Sequence, residues 1–391
     1  MRHYAYLIIG GGMAADAAVK GIRSIDKDWE VCVIGAEGFP PYKRPRLTKQ
    51  LWKGKPVESI WLGTSEHDAT LELGRTVQSI DLANKHVTDD LGEEYGFDKL
   101  LIATGGTPKR LPFESEAIIY YRAFSDYNRL RELADGGSRF AVIGSGFIGS
   151  EIAAALAMND KQAVMIFPDT AIGERMYPAD LAAFVTDYYR GKGVEIVSGE
   201  TAVGVEARSG RHVVNTSGGR EIEVDGIVAG IGITPNTQLA EDAGMPIENG
   251  IRVDKHLRAG HEDVFAAGDV ANFHNPALGK RIRVEHEDNA VIMGKHAGEA
   301  MAGHVKPYTH LPYFYSDLFD LGYEAVGDLD PRLETYSDWQ EPFGKGVVYY
   351  LADGRVRGVL LWNVWDKVPA ARELISAPGP FTPQDLKGRI A

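Results

Sequence analysis

The chain has 391 residues, 44% apolar and 25% charged, with 45 glycines and a net charge of −13. That length exceeds one compact core and suits two or three domains, while the acidic balance argues against a nucleic acid partner, whose phosphates need a basic surface. No apolar run reaches the roughly 20 residues of a membrane span, and strand-forming residues begin at Tyr4 with no signal peptide ahead of them, so a cytoplasmic protein without a membrane partner is expected.

The first expected strand, Tyr6-Leu7-Ile8-Ile9, runs into Gly10-Gly11-Gly12-Met13-Ala14-Ala15 and then a helix over about 14–24. Gly10 and Gly12 allow a tight turn and bring backbone N–H groups to a pyrophosphate, and Ala15 fills the last place of the G-x-G-x-x-G/A pattern. The second strand (30–35) holds Cys32, the only cysteine, read as a small apolar core residue. With one cysteine, no intrachain disulfide or disulfide relay is possible. Glu37 is the acid expected about 20 residues beyond the glycines, where it would bond the ribose of an adenosine. A Pro-rich loop follows. From Tyr42 to Lys55 it carries Lys43, Arg44, Arg46, Lys49, Lys53 and Lys55 and no acid, which is either a docking surface for an acidic partner or a set of solvated loop charges. This half closes with a strand over 99–102 entering Ala103-Thr104-Gly105-Gly106.

The plan then repeats. Phe140-Ala141-Val142-Ile143 leads into Gly144-Ser145-Gly146-Phe147-Ile148-Gly149, a helix over about 147–159, and a strand over 163–167 ending near Asp169. An acid there accepts from both ribose hydroxyls and repels a 2′-phosphate, favouring NADH over NADPH; Arg175, six residues on, moderates that preference. Gly230-Ile231-Gly232-Ile233-Thr234-Pro235-Asn236 closes the second half as Ala103–Gly106 closes the first. Two such turns, each with its acid, imply two dinucleotides bound at once and electrons passing between them. Next come a strand and turn, Asp263-Val264-Phe265-Ala266-Ala267-Gly268-Asp269, in which Asp269 either caps a helical turn or binds the polyol chain of a flavin. A helix over about 286–302 carries Ala and Gly at close-packing positions. From about 305 the pattern is antiparallel sheet: Gly346–Leu351, an Asp353-Gly354 hairpin turn, Val356–Trp362, then a helix near 367–376. This aromatic-rich sheet is either an interface, which would make a homodimer, or a plain hydrophobic core.

Taken together, these motifs resemble the two-dinucleotide flavoprotein reductases. Pro41-Tyr42-Lys43-Arg44-Pro45-Arg46-Leu47-Thr48-Lys49 is similar to the branch of oxygenase-type ferredoxin reductases and apoptosis-inducing factor. Arg283-Val284-Glu285-His286, Tyr315-Ser316-Asp317-Leu318 through Gly322-Tyr323-Glu324-Ala325, and Leu361-Trp362-Asn363 most resemble apoptosis-inducing factor. The resemblance implies an α/β fold of two Rossmann-like, glutathione-reductase-like domains plus a C-terminal α+β domain. FAD would lie on 1–116 with 240–304, NADH on 117–239, and an interface domain on 305–391. It also implies that Arg44 and Pro45 border the flavin, that Lys49 pairs with Glu151 beside its ring, and that Phe147 covers the nicotinamide-facing side. Asp269 would bind the ribityl chain, with Glu285 and His286 near flavin and nicotinamide. Three features depart from the family: Ala36 stands where relatives place the ribose acid, Tyr315 replaces a frequent Trp, and Glu287 and Asn289 replace histidines of apoptosis-inducing factor. That protein's targeting region and long C-terminal insertion are not matched, so no death-signalling role is expected.

The implied chemistry is hydride transfer from NADH to flavin N5, then direct delivery to an external acceptor, because no cysteine stands beside the flavin in the loop after the second strand. A ferredoxin or rubredoxin, small and acidic, is the first expected acceptor. Quinone or oxygen, or slow turnover in a redox-responsive binding protein, are the alternatives. No metal site is expected.

Overall fold

A computed structural model describes residues 1–390, and the chain forms two compact units, each gathered from three stretches of sequence. The first contains Met1–Lys43, Glu58–Thr107 and Thr234–Tyr313. Strand β1 (Arg2–Ile9), helix α1 (Met13–Ile25) and strand β2 (Val31–Gly35) follow the glycine pattern, with β3 (Ala69–Leu73) and β4 (Glu94–Ile102) beyond them. The sheet runs β3-β2-β1-β4 and then a strand over Val264–Ala266, every one of these pairs parallel. The chain therefore grows to one side of β1 and then crosses to the other, a reversal that opens a crevice at the carboxyl ends of β1 and β4. Ile9 pairs with Ile34 on one side and Ile102 on the other, so the three strands end level there. Leu7, Ile8, Cys32, Val33, Leu100 and Leu101 are completely buried, as residues of a sheet covered on both faces must be.

One of those covers is α1, which lies against the helix Glu287–Met301. Small residues make this crossing possible: a Cβ added to Gly294 would stand 2.3 Å from the Ala14 carbonyl oxygen, and one on Gly298 2.1 Å from that of Ala18. The Ala and Gly spacing of this helix thus has the packing role its sequence indicates.

The second unit contains Arg44–Val57, Pro108–Ile233 and the chain from Phe314 onward. Strand β5 (Arg139–Ile143), helix α2 (Phe147–Met158) and strand β6 (Gln162–Phe167) repeat the first plan. Here the five-stranded parallel sheet runs 195–198, β6, β5, 226–229, 118–120. The repeat extends to single hydrogen bonds. Gly10 N–H donates to Ile34 O at 2.8 Å and Gly144 N–H to Ile166 O at 2.9 Å; Ala103 N–H donates to Ile9 O at 2.8 Å and Gly230 N–H to Ile143 O at 2.9 Å.

The same unit holds the antiparallel sheet of β7 (Tyr313–Leu318), β8 (Leu321–Gly327), β9 (Glu334–Glu341), β10 (Lys345–Ala352) and β11 (Arg355–Trp362), ordered β7-β8-β11-β10-β9. Asp353 and Gly354 turn β10 into β11 with φ of 51° and 71°, the left-handed pair that a two-residue hairpin needs. Tyr323 stacks on Trp362 with ring centroids 5.9 Å apart, and Tyr177 meets both edge-on, tying this sheet to the nucleotide-type half. The C-terminal sheet and residues 44–57 both pack with 108–233. Trp52 is the anchor of 44–57, set edge-on to Tyr127 at 6.0 Å, with its carbonyl accepting from Asn159 Nδ2 at 3.1 Å. Among the described residues no helix is long and apolar enough to cross a membrane.

Candidate functional site

Each parallel sheet presents its glycine turn at the carboxyl end. Gly10 and Gly144 have φ of 115° and 113°, a conformation that side chains disfavour. Gly12 and Gly146 stand at the N-caps of α1 and α2, and a Cβ added to either would meet nothing within 4 Å. Neither cap has a side-chain acceptor, so the first amides of both helices face open space with the positive end of the helix dipole behind them. That combination fits a pyrophosphate in each unit. The third positions differ: Ala15 is fully buried, whereas a Cβ on Gly149 would lie 2.1 Å from the Gly144 carbonyl oxygen. In the first unit Ala103, Thr104 and Gly105 follow β4, and Thr104 exchanges hydrogen bonds with Asn236 (2.8 and 2.9 Å). Gly232, with φ of 94°, occupies the matching turn of the second unit, beside Lys109.

The two expected ribose acids, Glu37 and Asp169, follow the second strand of each unit and differ in their partners. Glu37 accepts from the Tyr42 hydroxyl at 2.6 Å, and Tyr42 is itself buried. Asp169 accepts from Ser145 Oγ at 3.2 Å and from Arg175 at 3.0 Å, and the Arg175 side chain is 80% exposed. Asp269 lies inside the short turn Gly268–Val270, with Ala267 at the cap, so it does not cap that turn. A Cβ on Gly268 would touch Ala14 Cβ at 3.0 Å, which sets this turn against the start of α1. Arg283 donates to the Asp269 carbonyl at 3.0 Å and pairs with Glu285 at 2.7 Å, while His286 is the N-cap residue of Glu287–Met301. The first unit therefore sets Gly268 against the start of α1, and Arg283 links Glu285 to the Asp269 backbone.

Lys49 and Glu151 meet inside the second unit. Lys49 Nζ lies 2.7 Å from Glu151 Oε1, with side-chain exposures of 5% and 4%. Such a pair is tolerable out of water only if the carboxylate's remaining lone pairs are satisfied. They are: Ser316 Oγ donates to the same Oε1 at 2.7 Å, and Thr48 Oγ1 donates to Oε2 at 2.5 Å. The Tyr315 ring faces the ammonium with its centroid 4.9 Å away, a cation–π contact. Phe147 stands one helical turn before Glu151 on α2 and is 37% exposed, edge-on to Phe314 at 5.2 Å. Arg44 and Pro45 lie in the short helix Arg44–Leu47, where Arg44 donates to the Arg122 carbonyl at 3.1 Å. Thr48 and Ser316 are the two members that the sequence reading left without a role. Their adjacency to Lys49 and Tyr315 was the only signal, since nothing in a sequence shows which hydroxyl completes a buried carboxylate. The basic run is also divided. Lys49 is withdrawn into the ion pair, whereas Lys53 and Lys55 stand on the surface, and Lys53 N–H bonds back to Lys49 O at 3.3 Å. Burial pushes the Cys32 thiol up to about 12, so it stays protonated and unreactive.

A family model described as pyridine nucleotide-disulphide oxidoreductase matches residues 4–294, and one for the C-terminal part of the mitochondrion-associated apoptosis-inducing factor matches 297–342 and 336–377. The chain is 35% identical to apoptosis-inducing factor 1, mitochondrial, of Dictyostelium discoideum, over 96% of this chain and 79% of that protein. It is 31% identical to the ferredoxin–NAD(+) reductase component of the anthranilate 1,2-dioxygenase system of Burkholderia cepacia, over 97% and 96%. The solved covalent putidaredoxin reductase–putidaredoxin complex contains a chain that superposes with a TM-score of 0.90 at 27% identity, covering 98% of this chain and 95% of the other.

Proposed function

Because this chain belongs to the pyridine nucleotide-disulphide oxidoreductases, we propose that it passes the electrons of NADH to a small acidic iron–sulfur protein of the ferredoxin or rubredoxin type. Its standing as an FAD-dependent NADH oxidoreductase follows from the family and from its reductase relatives. Bound FAD supplies the change from a hydride donor to one-electron acceptors. The chain's own residues hold, orient and balance charge. The two helix starts and their open glycine cradles bind pyrophosphates, and Glu37 and Asp169 receive ribose hydroxyls. Lys49 provides a fixed positive charge against the negative charge that reduction develops, and Glu151 prevents that ammonium from turning away. Tyr315 covers the ammonium on its free side. Cys32 is too buried, and too firmly protonated, to relay electrons.

The observation that favours an acidic protein acceptor is the placement of Lys53 and Lys55. They are exposed on a chain of net charge −13 and lie within two turns of Lys49. An acidic partner is repelled by most of such a surface and drawn to the local reversal. Lys53 is only loosely engaged, 3.4 Å from Asp317 across a solvent-exposed gap, so it is available to a partner. The double substitution Lys53→Glu/Lys55→Glu is expected to slow reduction of a ferredoxin at least 10-fold at low salt, and to flatten its salt dependence, while NADH-to-ferricyanide turnover is unchanged. Equal loss in both assays sinks this reading.

The C-terminal match favours a second one, a slowly turning, redox-responsive binding protein. Anaerobic mixing with NADH separates the two. Loss of the flavin's visible absorbance within milliseconds supports the reductase, and loss over minutes supports the binding protein.

A further inference from the structure

We propose that Ser316 is a positioning residue for Lys49, acting through Glu151. It rests on the reading of Lys49 as the charge that answers flavin reduction. Three side chains bond Glu151, but only Lys49 and Ser316 share one oxygen, Oε1, each at 2.7 Å. Thr48 holds Oε2 and belongs to the same short loop as Lys49, so it moves with the lysine. Ser316 comes from β7, 165 residues away in sequence. It is the bond that fixes Oε1, and through it the ammonium, to a strand of the C-terminal sheet.

The surroundings of Ser316 leave its hydroxyl little freedom. It is 1% exposed and neighbours the buried hydroxyl of Tyr323, itself next to that of Tyr177. Burial pushes both phenols above their ordinary range, so neither brings a charge to compete for Lys49. A hydroxyl has one proton to donate, and Ser316 gives it to the carboxylate. Without that donor Glu151 is bonded only by Thr48 and Lys49, neighbours on one loop, so carboxylate and ammonium are no longer fixed to the C-terminal sheet and can shift together with that loop. Preorganised charge loses its effect when the charge must be reoriented during the reaction.

The test uses the FAD-loaded protein in anaerobic stopped flow with NADH, together with the flavin midpoint potential. Lys49→Met is expected to slow the limiting rate of flavin reduction about 100-fold. Ser316→Ala is expected to slow it about 10-fold, the size of one lost charge-assisted hydrogen bond, with the NADH dependence unchanged and the midpoint potential more negative. Ser316→Thr, which keeps the hydroxyl, is expected to match the natural protein. In the Lys49→Met background, Ser316→Ala is expected to add nothing. If Lys49→Met itself leaves rate and potential unchanged, the reading of Lys49 fails and this proposal with it. If Lys49→Met is slow but Ser316→Ala matches the natural protein, or adds its full loss on top of Lys49→Met, the role given to Ser316 is overturned and that of Lys49 stands.

Discussion

The glycine turns after β1 and β5 share backbone hydrogen bonds, glycine conformations and an uncapped helix start, yet the acids beyond them differ in their partners. Glu37 is bonded by Tyr42, a neutral and buried partner, at 2.6 Å. Asp169 is bonded by the Ser145 hydroxyl at 3.2 Å and also by Arg175, a charged partner that is 80% exposed, at 3.0 Å. We expect the exposed ion pair at Asp169, weak in water, to open for an arriving ribose more readily than the bond between buried Tyr42 and Glu37.

That contrast can be broken most sharply at the second acid. Asp169→Arg is expected to lower kcat/KM for NADH about 100-fold or more and to raise that for NADPH, with FAD content unchanged, because it removes the ribose acceptor and supplies a cation for the 2′-phosphate. Intact NADH use in this variant shows that Asp169 is not the ribose acid. At the first acid the effect is expected to move to the resident cofactor: Glu37→Gln loosens FAD about 10-fold, read from flavin released on gel filtration, and leaves the NADH dependence alone.

The opposite ends of the two sheets sharpen the comparison further. Each pairs a carboxylate, Asp263 with Lys85 and Lys99 in the first unit, half-buried Asp225 with the Ser138 and Arg139 amides and Arg211 in the second. Burial opposes the charge on Asp225, but the two amides and the guanidinium prevail and hold its carboxyl down to about 2. A depressed folded value means that this stabilisation is complete above the ordinary carboxylate range and is lost as pH falls towards 2. Asp225→Asn is therefore expected to destabilise the protein by about 1–3 kcal/mol at pH 7, with the difference shrinking between about pH 4 and pH 2, measured by urea unfolding. The smallest expected effect is at Cys32: no reaction with a thiol reagent at pH 8 in the folded protein, and no change of turnover in Cys32→Ala.

Much of this molecule was legible before any tertiary structure. Gly10–Ala15 and Gly144–Gly149, the strands before and after them, and the Asp353-Gly354 turn all emerged from patterns spanning a few to about 20 residues, because such patterns encode backbone conformations that the chain adopts locally. The family resemblance supplied the Lys49–Glu151 pair, which no spacing would have shown. What only the tertiary structure decided lies between residues far apart in sequence: Thr48 and Glu151 across 103 residues, Ser316 and Glu151 across 165. It also decided that Arg44–Val57 packs with the second unit, and that one basic run sends Lys49 inward and leaves Lys53 and Lys55 in water. Local propensity has no term for these choices. Whether a lysine is solvated or paired depends on which carboxylate and which hydroxyls packing brings to it, and only the folded chain determines that.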